Sequence, residues 1–346
     1  LISKKLKSKK VSHTYTTDFI KKLGDGILAG DRRSLARGIT LVESRLNEDQ
    51  EAAFHLTSYL EVATNKAKCI AVTGPPGAGK SSFIESMGML AIHEGQKVAV
   101  ITIDPSSELN GGSILADKTR MPKLSAHPQA FVRTSPTGGD LGGINRNTME
   151  VKRLCEAAAF QVIFVETVGV GQSESEVSHL VDMVIVLLQP GSGDDLQGIK
   201  KGLNEMADFF VVNKADGQQI ELAREAKSYI LASTKLGHKD LKGNHIVLHS
   251  QHDQLMAGDC YKKLMKRYDE LFKRVIIEKR RANQIEYWFD KKIESALLDW
   301  FKNQDVYHHL NSKYLGFIRS EKMSLDEAIV LFLSDIKKKY SINIEK

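Results

Sequence analysis

Gly74-Pro75-Pro76-Gly77-Ala78-Gly79-Lys80-Ser81 is the stretch on which the reading of the fold turns. It fits G-x-x-x-x-G-K-[ST], a loop whose backbone N–H groups cradle phosphate oxygens. Its surroundings agree. The apolar run Cys69–Thr73 precedes it and has the look of a buried strand, and a helical pattern follows. A helix N-terminus at that point adds a positive dipole to the N–H groups. Lys80 is expected to bridge the β- and γ-phosphates, and the Ser81 hydroxyl, with Ser82 beside it, to complete the site and ligate Mg²⁺.

Outward from this loop the chain alternates. Short Val- and Ile-rich runs occur at Val98–Ile103, Val162–Val165, Met183–Leu188, Phe209–Val212 and His245–Leu248. They do not alternate in polarity, as suits strands buried on both faces. Helical patterns lie between most of them, so the expected fold is α/β: a doubly wound, mostly parallel sheet. All seven prolines fall between Pro75 and Pro190, which leaves both ends free to be helical. Asp31 is placed to cap a helix carrying Leu35, Ile39, Val42 and Leu46. Towards the C-terminus, Tyr261, Leu264, Tyr268, Leu271 and Val275 keep helical spacing, as do Ile285, Phe289, Ile293 and Leu297. These helices suit either packing on the chain's own core or a dimer arm. The expected division is 1–66, a basic tail and helical extension; 67–255, the nucleotide domain; and 256–346, helices.

Two carboxylates end strands. Asp104 follows Val98–Ile103 and Glu166 follows Val162–Val165. The C-terminal ends of parallel strands face the ligand crevice, and Mg²⁺ needs oxygen ligands beside the phosphates. Gly169 and Gly171 come just after Glu166; a glycine there can offer its N–H to a γ-phosphate and release it after hydrolysis. The base is addressed by Asn213-Lys214-Ala215-Asp216, the N-K-x-D pattern, behind the run Phe209–Val212. A carboxylate only accepts hydrogen bonds. Asp216 can therefore hold the two donors of guanine, N1–H and the 2-amino group, and repels the N1 lone pair of adenine. GTP or GDP with Mg²⁺ is the expected ligand.

Composition limits what else the chain can be. With 346 residues, 42% hydrophobic and 27% charged, it is ordinary for a globular protein. No apolar run is long enough for a membrane span. The net charge of +6 owes much to Lys4, Lys5, Lys7, Lys9 and Lys10; a solvated tail explains them better than a nucleic-acid site. The chain opens on Leu1 and reads as trimmed, with a mitochondrial presequence one reading of what is missing. Cys69, Cys155 and Cys260 are too scattered for a disulfide framework or a metal pair, which fits a reducing compartment.

The stretches D-P-S-S (104–107), G-G-S-I-L-A-D-K-T-R-M (111–121), E-T-V-G-V-G-Q-S-E (166–174) and N-K-A-D (213–216) resemble the MeaB/MMAA GTPases, also labelled ArgK. The resemblance covers roughly residues 15–305, including T-L-V-E-S (40–44). It implies a homodimer joined by C-terminal helices. It also implies a chaperone of cobalamin-dependent methylmalonyl-CoA mutase, in which GTP binding and hydrolysis gate delivery of adenosylcobalamin and protect the mutase. The location implied is cytoplasmic, or the mitochondrial matrix in a eukaryote. Residue by residue it assigns Lys80 and Ser81 to phosphate and Mg²⁺, and Asp104 and Glu166 to the metal and water network. Residues 106–121, 133–143 and 168–176 are assigned to switch regions. The chain departs from the family at Ala116, where Gly is usual, and at Thr134, where Pro is usual. The family's base-contacting Ser-Ala pair falls on Ser250-Gln251, with His252 next; Gln251 still offers a backbone N–H to guanine O6.

Three rival readings stand beside this one. Related GTPases deliver nickel with Cys/His clusters, and His238, His245, His249 and His252 crowd one region, although their spacing on a strand suits packing better than ligation. A kinase, after the ArgK label, needs a phosphate-acceptor pocket that no motif identifies. A non-enzymatic scaffold sits poorly with an intact Lys80 and Ser81. Arg120, Arg133 and Arg146 are candidates for an arginine finger.

Overall fold

The computed structural model describes residues 15–44, 46–60, 66–104, 120–136, 147–167, 176–191, 206–237 and 245–340. The chain separates into two compact units, Leu1–Gln284 and Ile285–Lys346.

The first unit is built on a parallel sheet of seven strands: β1 (Lys68–Thr73), β2 (Val98–Asp104), β3 (Ala130–Pro136), β4 (Val162–Thr167), β5 (Met183–Leu188), β6 (Phe209–Val212) and β7 (Ile246–Leu248). Their order is β3-β2-β4-β1-β5-β6-β7, and every pairing is parallel. Six of these strands coincide with the apolar runs of the sequence. The seventh, β3, carries Arg133, Thr134 and Ser135 and closes on Pro136, so it has no unbroken apolar signature. It lies at the sheet edge and pairs with β2, where a missing N–H is tolerated.

Among the described residues three helices precede the sheet: α1 (Thr17–Leu28), α2 (Arg32–Glu43) and α3 (Asn47–Leu60). The Asp31 carboxylate caps α2 by accepting the Ser34 N–H at 2.8 Å. The helix α4 (Lys80–His93) follows the phosphate loop. The short α5 (Pro122–Ala126) and then α6 (Thr148–Ala157) come before β4. The N-terminal layer packs its apolar stripe, with Ile27, Leu35, Ile39 and Leu56 fully buried, against one another and α6. The helices α7 (Ile220–Gly237) and α8 (Gln254–Lys273) complete the unit together with the start of α9 (Ile276–Lys302). On one face, Phe83, Ile84 and Met87 of α4 and Cys260, Leu264 and Leu271 of α8 join Phe164, Ile185 and Phe209 in a single core.

The stripe expected to run through Val275 stops short of it. Helix α8 ends at Lys273, and Val275 is half exposed with φ 59°, in the left-handed region, before α9 begins. The three cysteines are free and buried. No described helix is long and apolar enough to cross a membrane.

The second unit holds the rest of α9, α10 (Asp305–Arg319) and α11 (Leu325–Lys339). The last two pair around Leu310, Tyr314 and Ala328, with Phe317, Phe332 and Ile336 against them. On α9, Ile285, Phe289, Ile293 and Leu297 are all exposed within this chain. Of the two readings of the C-terminal helices, packing on the chain's own core holds for Tyr261, Leu264, Tyr268 and Leu271.

Candidate functional site

The site forms where the strands end. β1 is central, flanked by β4 and β5, and its C-terminal residue Thr73 runs straight into the phosphate loop. Gly74 has φ 145°, and a Cβ there would be driven into the Leu187 carbonyl of β5. Gly79 has φ 87° and would bring a Cβ within 2.6 Å of Asn213 Nδ2. Both positions therefore require glycine, for reasons of backbone conformation and close approach. Helix α4 then starts at Lys80, so its unpaired N–H groups open on the loop.

Lys80 is buried, and its Nζ donates to the carbonyls of Gly74 at 2.8 Å and Pro75 at 3.1 Å. A cation is thus held across the mouth of an N–H-lined loop. Ser81 Oγ donates to Glu166 Oε1 at 2.7 Å. Glu166 lies level with Val72 of β1 and Thr102 of β2, and Asp104 closes β2 two residues further on. The backbone of Asp104 is at the same edge of the sheet; its carboxylate lies outside what the structure describes. Gly169 and Gly171 also fall outside the described residues, as do Ala116 and, of the three expected switch segments, all but 120–121, 133–136 and 176. Thr134 sits buried within β3.

The N-K-x-D segment divides its work. Asn213 Nδ2 donates to the Ala78 carbonyl at 2.8 Å, and Lys214 Nζ to the Gly77 carbonyl at 2.8 Å and to Gln189 Oε1 at 3.2 Å. Both side chains brace the phosphate loop. Lys214 does so from φ 56°, a left-handed conformation that costs a non-glycine residue about 1–2 kcal/mol. Asp216 is held from another side. Ser250 Oγ donates to its Oδ2 and also accepts the His252 N–H at 3.1 Å, so the carboxylate is oriented by the loop after β7. Gln251 and His252 are exposed beside it. They also line a groove of about 630 Å³ with Ser82, Glu85, Ser86 and Lys123.

Arg133 is committed elsewhere: its Nη2 pairs with Glu43 Oε2 at 2.6 Å, and Ser135 Oγ donates to Glu43 Oε1 at 2.6 Å. This arginine ties β3 to α2 rather than standing ready as a finger. Arg120 is exposed, and Arg146 lies outside the described residues. Among the described residues no three His, Cys, Asp or Glu side chains gather in a metal-binding group. His245 and His249 are buried; His238 is outside the described residues. The position that spacing missed is His249, which contacts Asn213 and Ser86. Nothing local marks it, because its partners lie 36 and 163 residues away.

The set of groups suits a nucleoside triphosphate with Mg²⁺. Ser81 and Glu166 supply hard oxygen donors side by side, as that ion prefers, next to a lysine and a nest of N–H groups. Residues 35–305 match the family described as Methylmalonyl Co-A mutase-associated GTPase MeaB. The chain belongs to that family. With it, the chain belongs to the P-loop GTPases. It is 36% identical over 326 residues to the Caenorhabditis elegans protein named Methylmalonic aciduria type A homolog, mitochondrial, covering 90% of this chain and 82% of that one. It is 53% identical over 188 residues to GTPase ArgK of Escherichia coli, 54% of this chain and 57% of the relative. A relative from Caulobacter vibrioides is matched over 64% of its length, just under two thirds. Among solved structures, one described as LAO/AO transport system kinase superposes with a TM-score of 0.71 at 29% identity, covering 93% of this chain and 99% of that chain.

Proposed function

We propose that this MeaB-family chain binds and slowly hydrolyses GTP with Mg²⁺, and that its nucleotide state controls a cobalamin-dependent acyl-CoA mutase. Methylmalonyl-CoA mutase is the partner the family description favours. The observation that carries the nucleotide half is the coexistence, at one sheet edge, of Lys80 across the phosphate loop, Ser81 on Glu166, and Asp216 held by Ser250. In this reading Gly74–Ser82 wrap the phosphates. Ser81, with Glu166 and Asp104 directly or through water, holds the metal. Asn213 and Lys214 fix the loop, and Asp216, Gln251 and His252 meet the base. A Mg²⁺ held there would supply positive charge against the phosphates. Lys80 does the same from the protein side, and the N–H of Gly169 is the candidate sensor of the γ-phosphate. Turnover of the isolated chain is expected to be slow, with Arg120 and Arg146 left as candidate fingers.

The mutase half is supported by family membership. Nucleotide state gates delivery of adenosylcobalamin and protects the mutase from inactivation only if the GTP and GDP forms bind it differently. The exposed α9 stripe of Ile285, Phe289, Ile293 and Leu297 supports a homodimer, with residues 1–66, 67–255 and 256–346 as tail and helical extension, nucleotide domain and dimerisation region. A reducing location, cytoplasmic or mitochondrial, suits three free buried thiols. The mitochondrial case agrees with the name of the worm relative.

The test is complex formation, cobalamin loading and GTP turnover with methylmalonyl-CoA mutase, each measured with GTP, GDP and a non-hydrolysable analogue. Differing affinity or loading between the states, with faster turnover in the complex, is expected. Identical affinity, loading and turnover in all three states would remove the mutase assignment and leave the GTPase assignment in place.

A further inference from the structure

His249 joins the phosphate loop to the base loop through a continuous chain of hydrogen bonds. It directly follows β7 and has no exposed surface. Its main chain already laces the N-K-x-D segment in place: its N–H donates to the Val212 carbonyl at 2.9 Å, and its own carbonyl accepts the Ala215 N–H at 3.0 Å. The ring continues the lacing. Nδ1 lies 2.7 Å from Asn213 Oδ1 and Nε2 lies 3.3 Å from Ser86 Oγ on α4. The Phe83 ring meets it edge-on at 4.9 Å and 85°.

Proton bookkeeping fixes the direction of every bond. Asn213 spends its Nδ2 on the Ala78 carbonyl, so the oxygen it turns to His249 can only accept. The hydrogen on the ring must therefore sit on Nδ1. The neutral ring then presents a lone pair at Nε2, and the Ser86 hydroxyl donates to it. The chain runs from Ser86 of α4 to His249, from His249 to Asn213, and from Asn213 to Ala78 inside the phosphate loop. Its neighbour Ser250 holds Asp216. Two consecutive residues thus set two different things: His249 the phosphate loop, and Ser250 the base acceptor.

We infer that His249 is a positioning residue for nucleotide binding, holding Asn213 so that its amide fixes the phosphate loop against the base segment. The inference rests on the guanine-nucleotide reading above and refines it. A leucine at this position fills the space but leaves Asn213 Oδ1 buried with no donor. An asparagine places an amide N–H close to where Nδ1 stands. A glutamine reaches only the Nε2 position, towards Ser86.

The experiment is titration of the full chain with GTP and with GDP, each with Mg²⁺, alongside melting temperature. The wild type, His249→Leu, His249→Asn and His249→Gln are compared. His249→Leu is expected to lose about tenfold in affinity for both nucleotides alike, the scale set by stranding one buried acceptor. His249→Asn restores most of it and His249→Gln does not. Guanine preference over adenine is unchanged throughout, because Asp216 is held separately. Wild-type affinity in a folded His249→Leu protein would overturn the assignment. Should that variant fail to fold, equal affinities in the Asn and Gln variants would overturn it instead. A wild-type chain that binds neither GTP nor GDP would take down the functional reading together with this one, and so is told apart from failure of the variants alone.

Discussion

β5 and β6 each begin at a buried aspartate and end at the phosphate loop, and the two ends are held together in different ways. At the starting end Asp182 is fully buried and takes Arg281 Nη2 at 2.6 Å and Nε at 2.7 Å, the Cys69 N–H at 2.9 Å and the Tyr268 hydroxyl at 2.9 Å. Asp208 takes Arg280 in a two-pronged pair at 2.7 and 2.8 Å. Burial pushes the Asp182 carboxyl up, and Arg281 with Lys152 more than reverses this, leaving it below the usual carboxylate range. Every charge there is answered by the chain itself. At the finishing end, Lys80 Nζ donates to the Gly74 and Pro75 carbonyls and Ser81 Oγ to Glu166, hydrogen bonds that can be exchanged when phosphate and metal arrive. The first end stabilises the fold; the second is poised for a ligand.

Crossing the two ends by mutation should separate affinity from stability. Lys80→Ala has the largest expected effect. Tight GTP binding or hydrolysis is lost while the melting temperature stays near wild type; unchanged hydrolysis in purified variant would remove Lys80 from the mechanism. Asp182→Ala should do the reverse. Leaving Arg281 without its partner in a buried pair costs about 3–5 kcal/mol of stability, and protein that remains folded should bind GTP normally. Denaturant melts and nucleotide titration read the two quantities separately. A fall in affinity without a fall in stability would contradict the division.

His249 belongs to the finishing end but also contributes to stability. Burial lowers its pKa from 6.5 to about 4. The unfolded chain therefore takes up the proton first as pH falls. This contribution is complete above pH 6.5 and is lost on the way down to about pH 4; in full it is on the order of 3 kcal/mol. The wild type should lose melting temperature more steeply than His249→Asn between pH 7 and pH 5. Parallel slopes would show that His249 is not held neutral in this way.

What the sequence disclosed follows the same line between local and distant. The phosphate loop is legible because eight consecutive residues carry it, and six strands are legible because burial on both faces leaves an unbroken apolar run. β3 is hidden because its edge position lets Arg133, Thr134 and Ser135 replace that run. Arg133 looks like a catalytic candidate by charge, and only the fold shows its pairing with Glu43, 90 residues away. Asn213 and Lys214 are readable as base-motif residues, but their grip on Ala78 and Gly77 depends on β1 and β6 ending on the same side of the sheet. The helical spacing of Ile285, Phe289, Ile293 and Leu297 is plain in the sequence, whereas what covers that stripe is not a local property of the chain.

The most direct test of the central claim, that this edge of the sheet is a guanine-nucleotide site, is a titration of wild type and Asp216→Asn with GTP, xanthosine triphosphate and ATP in the presence of Mg²⁺. A charge-assisted hydrogen bond of this kind contributes about 1.5–3 kcal/mol, and xanthine offers a carbonyl where guanine has its 2-amino group, which an asparagine amide can meet. The wild type should prefer GTP over both others, and Asp216→Asn should weaken GTP and turn the preference towards xanthosine triphosphate. A variant that still selects GTP by the wild-type margin, or a wild type that takes ATP as readily as GTP, would contradict the assignment.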